Sequence, residues 1–284
     1  MSRLGKTDSM AVVSEQLLEI DESERFAFGE NWRRFLDLIT PERISAAEES
    51  LKSLLQTDDL RGRTFLDIGS GSGLFSLAAR RLGARVHSFD YDPKSVGCTN
   101  ELRKRYCRED PYWVVEQGSV LDIGYLYALG TFDVVYSWGV LHHTGDMWRA
   151  IENASKCVRP GGLLSLAIYN DQGGASRRWT AIKRLHLASP RWARKVIEGC
   201  CFVRLYGPTI LKSALRGRQP ALYAQGTRGM SLWRDLVDWV GGYPFEVASA
   251  GEIFEFLHGR AFTLVRMTTT HSLGCNEFVF RNGN

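Results

Sequence analysis

The segment Asp67-Ile68-Gly69-Ser70-Gly71-Ser72-Gly73 has the residue types of a small-molecule binding loop. Glycines let the backbone turn sharply and let a ligand approach without obstruction by a Cβ atom. The helix predicted to follow would offer unpaired N–H groups at its N-terminus. NAD-binding folds use a G-x-G-x-x-G turn at this place, whereas the spacing here is D-x-G-x-G-x-G. The carboxylate of Asp67 favours a ligand with a positive amino group and would repel a pyrophosphate.

A second acidic residue, Asp90, ends the predicted strand ARVHSFD. In nucleotide-binding α/β folds, an acidic side chain at this position accepts hydrogen bonds from ribose hydroxyls. NAD-binding folds share that feature, so Asp90 indicates a nucleoside ligand without deciding which one. The glycine spacing that follows Asp67 is what distinguishes a ligand with a positive amino group from NAD.

Two adjacent histidines and one aspartate are the candidate general bases. His142 and His143 follow the predicted strand Phe132–Trp138, and an imidazole titrates near neutral pH. We prefer His143 as the base; in the alternative interpretation, one imidazole simply packs against the end of the sheet. Asp171 follows the predicted strand Leu163–Tyr169 and is the competing base, unless it only caps a loop.

Strand and helix signals alternate along the middle of the chain, which indicates a parallel α/β sheet. The predicted elements are a helix from Pro41 to about Leu55 with Thr40 as its N-cap, the strand RTFLDIG, the helix GLFSLAARRLG, the strand ARVHSFD, a charged helix through Arg105, the strands Trp113–Gln117 and Phe132–Trp138, a helix Met147–Val158 ending at the turn Arg159-Pro160-Gly161-Gly162, and the strand Leu163–Tyr169. Near the C-terminus, a capping box from Ser249 to Glu252 predicts a helix Glu252–Arg260. The strands Phe262–Thr269 and Glu277–Arg281 are predicted after it.

Four segments in this order resemble the motifs of the class I S-adenosylmethionine (SAM)-dependent methyltransferases. They are the glycine motif FLDIGSGSG, the second acidic motif HSFDYD, the segment FDVVYSWGVLHHTGD around the fourth strand, and the turn VRPGG before the fifth. The resemblance covers about residues 60–170 and 249–281. It implies a doubly wound, seven-stranded, Rossmann-like α/β sheet with a helical cap inserted after strand five. It also implies SAM as cofactor, S-adenosylhomocysteine as product, and no metal.

The resemblance assigns roles to residues of these motifs. Asp67 and Gly69 would lie near the methionine part of SAM, and Asp90 would bind the ribose hydroxyls. Ser119 and Val120 would face the adenine; many relatives have an aspartate where Ser119 stands, and Asp122 is the alternative contact. The complete implied cofactor-binding set is Asp67, Gly69, Ser70, Gly71, Gly73, Asp90, Tyr91, Ser119, Val120 and Trp138.

Residues 172–234 contain thirteen Lys or Arg side chains and one acidic residue, Glu198. This asymmetry indicates an anionic partner, although a solvated basic helix face is the alternative interpretation. One helical face is predicted to carry Trp192, Val196, Ile197, Cys200 and Cys201. Gly207-Pro208 is predicted to interrupt that helix, and Ser231–Val240 to form another. The segment is similar to the membrane-contacting insertion of ubiquinone-pathway O-methyltransferases; a phosphorylated or lipid-linked glycan acceptor would suit the arginines equally well.

We divide the chain into four parts on these grounds. Residues 1–59 would form an N-terminal helical cap, and its segment Phe28-Gly29-Glu30-Asn31-Trp32 is similar to capping helices of the same O-methyltransferases. Residues 60–170 would form the SAM-binding core, residues 171–248 the basic helical substrate cap, and residues 249–284 a helix with the last two strands.

The predicted activity is transfer of a methyl group from SAM to a hydroxyl, with an amine behind it, of a small or lipid-linked molecule. The NPPY-type tetrapeptide associated with methylating nucleobase amines is missing where SWGV stands. The alternatives are an RNA methyltransferase that uses the basic segment, and a SAM-binding protein without activity. Nucleic acid is the less expected partner. The six cysteines form no CxxC pair and no long apolar run occurs, so we expect free thiols and a cytoplasmic protein, at most peripheral to an anionic membrane.

Overall fold

The computed structural model describes residue 36 and residues 39–215, 232–272 and 274–284. Its elements are α1 (Pro41–Leu55), β1 (Thr64–Ile68), α2 (Leu74–Arg81), β2 (Arg85–Asp90), α3 (Pro93–Tyr106), β3 (Trp113–Gln117), α4 (Ile123–Leu129), β4 (Phe132–Trp138), a 3₁₀ turn (Leu141–His143), α5 (Met147–Lys156), β5 (Val158–Tyr169), α6 (Gly174–Ala188), α7 (Arg191–Leu215), α8 (Leu232–Gly241), α9 (Ala250–His258), β6 (Phe262–Thr268) and β7 (Cys275–Asn282). The predictions for residues 1–35 lie outside the described residues.

The seven strands form one sheet in the order β3-β2-β1-β4-β5-β7-β6. β1 pairs in parallel with β2 and β4, and β7 runs antiparallel to β5 and β6. The strand order reverses between β1 and β4, and in open α/β sheets ligands bind at such a switch point, beyond the carboxyl ends of the strands. The predicted fold class is therefore confirmed, and the topology directs attention to the loops after β1, β2, β4 and β5.

Side chains of β1 alternate between two hydrophobic cores, one on each face of the sheet. Leu66 and Ile68 lie in the core formed with α4, α5 and α9. Phe65 lies in the opposite core, with α1, α2 and α3. Burial on both faces is what a central parallel strand requires, and it explains the apolar run before the glycine segment. The helix α1, which falls in the predicted N-terminal cap, packs in the second core.

Two predicted strands, Trp113–Gln117 and Phe132–Trp138, have the bounds that the structure shows. The prediction for β5 was wrong at its start, because the strand begins at Val158 and not at Leu163. Val158 pairs with Phe132, and the register shifts between Phe132 and Val134. The Arg159-Pro160-Gly161-Gly162 segment is thus an irregularity within the strand, and α5 ends before it, at Lys156.

The insertion after β5 contains three helices that share a small core of their own. Cys201 of α7 packs with Leu236 and Val240 of α8, and Trp179 of α6 lies against them. The helix α7 continues through Pro208, so the predicted interruption at Gly207-Pro208 was wrong. A proline removes only its own N–H from the helix ladder, and the neighbouring hydrogen bonds can hold the helix together around it.

The single apolar face predicted for this helix is divided in the structure. Ile197 and Cys201 face the small core, whereas Trp192, Val196 and Cys200 are exposed. None of the helices that the structure describes is long and apolar enough to cross a membrane. The described His, Cys, Asp and Glu side chains include no group arranged to hold a metal ion.

The capping box that begins α9 is present as predicted. The hydroxyl of Ser249 accepts the amide N–H of Glu252, and the Glu252 carboxylate accepts the amide N–H of Ser249 at 2.8 Å. Replacing Ser249 by Ala should lower the free energy of unfolding by about 1 kcal/mol, because the amide N–H of Glu252 at the start of the helix loses its acceptor. Urea unfolding measures this change. Ser50→Ala, at an exposed position inside α1, is the matched control and should cost nothing; an equal loss in both variants would contradict the capping role.

Candidate functional site

The glycine turn after β1 is fixed to the end of β2. The amide N–H groups of Gly69 and Ser70 both donate to the carbonyl of Phe89, at 2.9 and 3.1 Å. Gly69 has a φ of +77°, and a Cβ atom there would overlap the side chain of Val140, which follows β4. Only glycine fits this position, both for its backbone conformation and for the available space.

A threonine that the sequence analysis did not single out supports the same turn. The hydroxyl of Thr99, on α3, lies 2.9 Å from the hydroxyl of Ser70 and donates to the carbonyl of Gly71 at 3.3 Å. Gly73 has a φ of +80°, and a Cβ atom there would lie 2.9 Å from Cγ2 of Thr99. The helix α3 therefore packs directly on the loop. A small hydroxyl residue in the middle of a helix gives no sequence signal for such a contact.

Asp90 is held by backbone amides on both carboxylate oxygens. One oxygen accepts the N–H of Gly71 and the other the N–H of Asp92, each at 2.9 Å. Burial raises the pKa of Asp90 to about 6, and hydrogen bonds from the backbone amides of Gly71, Asp92 and Tyr91 act against this rise. The two carboxylate oxygens have four lone-pair directions in all, so three amides leave room to accept a hydroxyl. The arrangement fits the two adjacent hydroxyls of a ribose.

Asp67 lies deeper than the sequence analysis expected. Its carboxylate is buried and accepts a hydrogen bond from the hydroxyl of Ser76, on α2. The hydroxyl of Ser88 lies 2.7 Å from that of Ser76 and accepts the indole N–H of Trp113 at 2.9 Å. Burial raises the pKa of Asp67 to about 7. The carboxylate thus ends a buried chain of hydrogen bonds beneath the turn, a position that suits support of the loop better than direct contact with a ligand amino group.

The remaining residues of the implied cofactor set lie along the edge of the same crevice. The hydroxyl of Ser119 accepts a hydrogen bond from the amide N–H of Leu121, and the carbonyl of Val120 accepts one from the side-chain amide of Asn153. Asp122 is the N-cap of α4, where it accepts the amide N–H of Tyr125. That capping contact occupies one of its oxygens.

Tyr91 and Trp138 complete the implied set. Tyr91, which follows Asp90, is 42% exposed. The indole N–H of Trp138, at the end of β4, donates to the carboxylate of Glu277 on β7 at 3.0 Å. Tyr91 therefore has a surface open to a ligand, and Trp138 is oriented by β7, which lies two strands away in the sheet.

The two candidate histidines differ in their hydrogen bonds. Nδ1 of His142 accepts the backbone N–H of Tyr169 at 3.3 Å, which places the proton of this buried ring on Nε2. Nδ1 of His143 lies 2.5 Å from the carbonyl of Pro244, which can only accept, so Nδ1 carries the proton and Nε2 the lone pair. Burial lowers the pKa of His142 well below its usual value and that of His143 to about 4.

Asp171 is exposed, and its carboxylate accepts the amide N–H of Gly173 at 2.8 Å, at the start of α6. The structure thus gives it the loop-capping contact that was the alternative interpretation. A residue of α6, Lys183, lies close enough to influence the charge of the histidines. Its amine is fully buried and lies over the rings of Trp239 and Phe245. The sequence analysis counted Lys183 only as one of many basic residues.

Comparison with known proteins agrees with this geometry. Residues 39–218 match the family model described as a methyltransferase domain. The chain belongs to this family. The methyltransferase is 34% identical over 111 residues to the ubiquinone biosynthesis O-methyltransferase of Rhizobium leguminosarum bv. trifolii, covering 39% of this chain and 42% of that protein. It is 30% identical over 149 residues to the protein of the same name from Caulobacter vibrioides, and this match covers 48% of this chain and 54% of that protein. The methyltransferase thus spans about half the length of the curated relatives it matches.

Solved structures share the fold of the methyltransferase at low sequence identity. Magnesium protoporphyrin IX methyltransferase from Synechocystis, with bound S-adenosylhomocysteine, has a TM-score of 0.52 at 15% identity, covering 84% of this chain and 82% of that one. The N-methyltransferase NodS from Bradyrhizobium japonicum, also with S-adenosylhomocysteine, has a TM-score of 0.51 at 18% identity, covering 91% and 100%. The recognition of the class I methyltransferase fold from four sequence motifs is confirmed.

The raised pKa of Asp67 predicts a pH-dependent cost to stability. Because the folded state holds this proton up to about pH 7 and the unfolded chain releases it near pH 4, stability falls as pH rises between these values. Asp67→Asn keeps an oxygen for Ser76 and cannot ionise. The free energy of unfolding of Asp67→Asn should therefore rise relative to that of the wild type, by up to about 1.4 kcal/mol for each pH unit between about pH 4 and pH 7. Urea unfolding at pH 5 and pH 7.5 measures the gain, and an equal difference at both values would contradict it.

Proposed function

We propose that this methyltransferase transfers the methyl group of SAM to a hydroxyl group of a small, apolar or lipid-linked molecule. The observation that carries the proposal is the combination of the glycine turn after β1 and the doubly held carboxylate of Asp90 after β2 at the switch point of the sheet. The names of the curated relatives support an oxygen acceptor. The solved relatives that bind S-adenosylhomocysteine support the cofactor.

Asp90, the glycine turn and the Ser119–Val120 loop would hold the nucleoside portion of SAM. The cofactor, when bound, supplies a methyl group on a positively charged sulfur. Displacement on that carbon requires the acceptor oxygen to approach in line, so the protein contributes mainly by positioning and by excluding water. The rigid contacts of Gly69 with Phe89 and of Thr99 with the loop suit this task, because they leave little freedom to rearrange.

His143 is the residue that we propose as general base. With its proton on Nδ1, held by the Pro244 carbonyl, His143 carries on Nε2 the lone pair that would accept the proton of a hydroxyl. His142 lacks this option, since its lone pair already accepts the Tyr169 amide. The pKa of about 4 keeps His143 unprotonated at neutral pH.

Isothermal titration with SAM and transfer of labelled methyl from SAM test the proposal. Asp90→Ala should weaken SAM binding at least about tenfold, the size of a lost charge-assisted hydrogen bond. Asp59→Ala, which removes a partly exposed carboxylate from the loop between α1 and β1, is the matched control and should bind SAM as the wild type does. Equal affinity in both variants would contradict the role of Asp90.

Purified protein with labelled SAM should transfer label into the lipid or small-molecule fraction of a cell extract. Label in RNA would overturn the proposed acceptor in favour of the RNA alternative. Binding of SAM without label in any fraction would overturn methyl transfer in favour of a SAM-binding protein without activity.

The exposed side of α7 supports a lipid-linked acceptor. Trp192, Val196, Val203 and Leu211 follow one another at spacings of four, seven and eight residues, which places them on one side of the helix, and each is more than half exposed. The exposed basic residues Arg191, Lys195, Arg204 and Lys212 lie on the same helix. An apolar stripe beside basic side chains has the chemistry of a helix that rests on an anionic bilayer surface. We therefore propose that α7 contacts anionic lipid, where a lipid-linked acceptor would be found.

Co-sedimentation with vesicles tests this contact. Binding should be stronger to vesicles containing phosphatidylglycerol than to pure phosphatidylcholine, and Val196→Asp with Val203→Asp should weaken it roughly tenfold or more. Tyr127→Asp, at an exposed apolar position on α4, is the matched control and should leave binding unchanged. Absence of vesicle binding would overturn the contact, and binding of RNA in its place would assign the basic residues to nucleic acid.

A further inference from the structure

Lys183 is a buried amine enclosed by aromatic rings. It belongs to the basic insertion, yet its side chain is not exposed to solvent. Nζ lies 4.3 Å from the ring centroid of Trp239 and 4.7 Å from that of Phe245, and it donates a hydrogen bond to the Trp239 carbonyl. Aromatic faces and a carbonyl oxygen both stabilise a cation. The amine of α6 is thus fixed against the end of α8.

The rings around Lys183 lead directly to the two histidines. Trp239 and Phe245 both contact the ring of Tyr169, with centroids 5.4 and 5.2 Å apart. The Tyr169 ring in turn lies 4.0 Å from the ring of His142 and 5.5 Å from that of His143. Lys183 and the imidazoles therefore lie on two sides of one aromatic layer at the ends of β4 and β5.

The electrostatic surroundings of Lys183 come from several elements. His142 and His143 face it from the turn after β4, and the Cys201 thiol from α7. The phenol of Tyr169 belongs to the shared aromatic layer, at the end of β5. Burial lowers the pKa of Lys183 to about 7, and the ring faces with the Trp239 carbonyl act against this by favouring the ammonium. Its positive charge in turn contributes to lowering the pKa of both histidines, after burial.

We propose that Lys183 is a positioning residue for methyl transfer: its ammonium fixes the Trp239–Phe245 wall beside the histidine pair and disfavours protonation of His143, the residue proposed to accept the acceptor's proton. This rests on the proposed function. Lys183 acts through Trp239, Phe245 and the charge on the imidazoles, and it takes no proton from the acceptor itself. The insertion is thereby coupled to the proposed base at the strand ends.

The replacement Lys183→Met tests the proposal, because methionine has a similar length and no charge. Removal of the positive charge should raise the pKa of His143 by roughly one unit, as expected for a like charge on the far side of one aromatic layer in a buried site. Histidine ring proton shifts in nuclear magnetic resonance report this pKa without SAM or acceptor. The acid limb of the methyl-transfer rate should move to higher pH by the same amount, because that limb reports protonation of the base.

Lys104→Met, at an exposed position on α3, is the matched control and should change neither the histidine pKa nor the acid limb. An unchanged His143 pKa in folded Lys183→Met protein would overturn the proposal. A raised His143 pKa with an unmoved acid limb would also overturn it, since the histidine charge would then not govern the reaction.

A titration of the unmodified protein covers the case in which Lys183→Met fails to fold. With carbon-labelled lysine, one Cε signal should titrate near pH 7, and the His143 ring signal should show a second inflection at the same pH. Absence of that shared inflection would overturn the proposal. Shared titration in a protein that transfers no methyl group would overturn the proposed function instead, so the two failures are distinguishable.

Discussion

The paired hydrogen bonds from Gly69 and Ser70 to the Phe89 carbonyl determine the geometry on which the site depends. They join the ends of two neighbouring strands, so the turn after β1 cannot move independently of β2. Asp90 directly follows Phe89 and accepts the N–H of Gly71, which makes the carboxylate part of the same unit. A carbonyl oxygen has two lone pairs, so the Phe89 carbonyl can accept both consecutive amides of this tight turn.

Burial of an acidic side chain beneath this turn lowers the stability of the fold. Asp67 is buried beneath the turn at a position where its carboxylate prefers to hold a proton, and a purely apolar side chain would avoid that cost. The hydrogen bonds from Trp113 through Ser88 and Ser76 to Asp67 cross from β3 to β1 and α2. Such a chain specifies how the helix and the strands align, because each polar group is satisfied in only one arrangement. A structural function of this kind accounts for an acidic residue that does not face the crevice.

The sequence predicted the features that depend on local patterns. Alternating strand and helix signals located the parallel strands, and the glycine turn with Asp90 is where the sequence predicts the cofactor to bind. The features that it missed depend on residues far apart in the chain. The partner of His143 is the carbonyl of Pro244, and the start of β5 is set by pairing of Val158 with Phe132 on another strand. Lys183 and Thr99 look like ordinary helix residues, and only their packing gives them a place in the site.

The helices of the insertion after β5 have different surroundings on their two sides. The outer side of α7 exposes an apolar stripe, while Lys183 of α6 and Trp239 of α8 pack against the aromatic rings beside the histidines. The small core of Cys201, Leu236 and Val240, with Trp179 against it, holds the three helices together. The outer stripe and the aromatic layer thus belong to one packed unit. On the proposed function, arrival at a lipid surface and alignment of the acceptor beside His143 are therefore two consequences of the same packing.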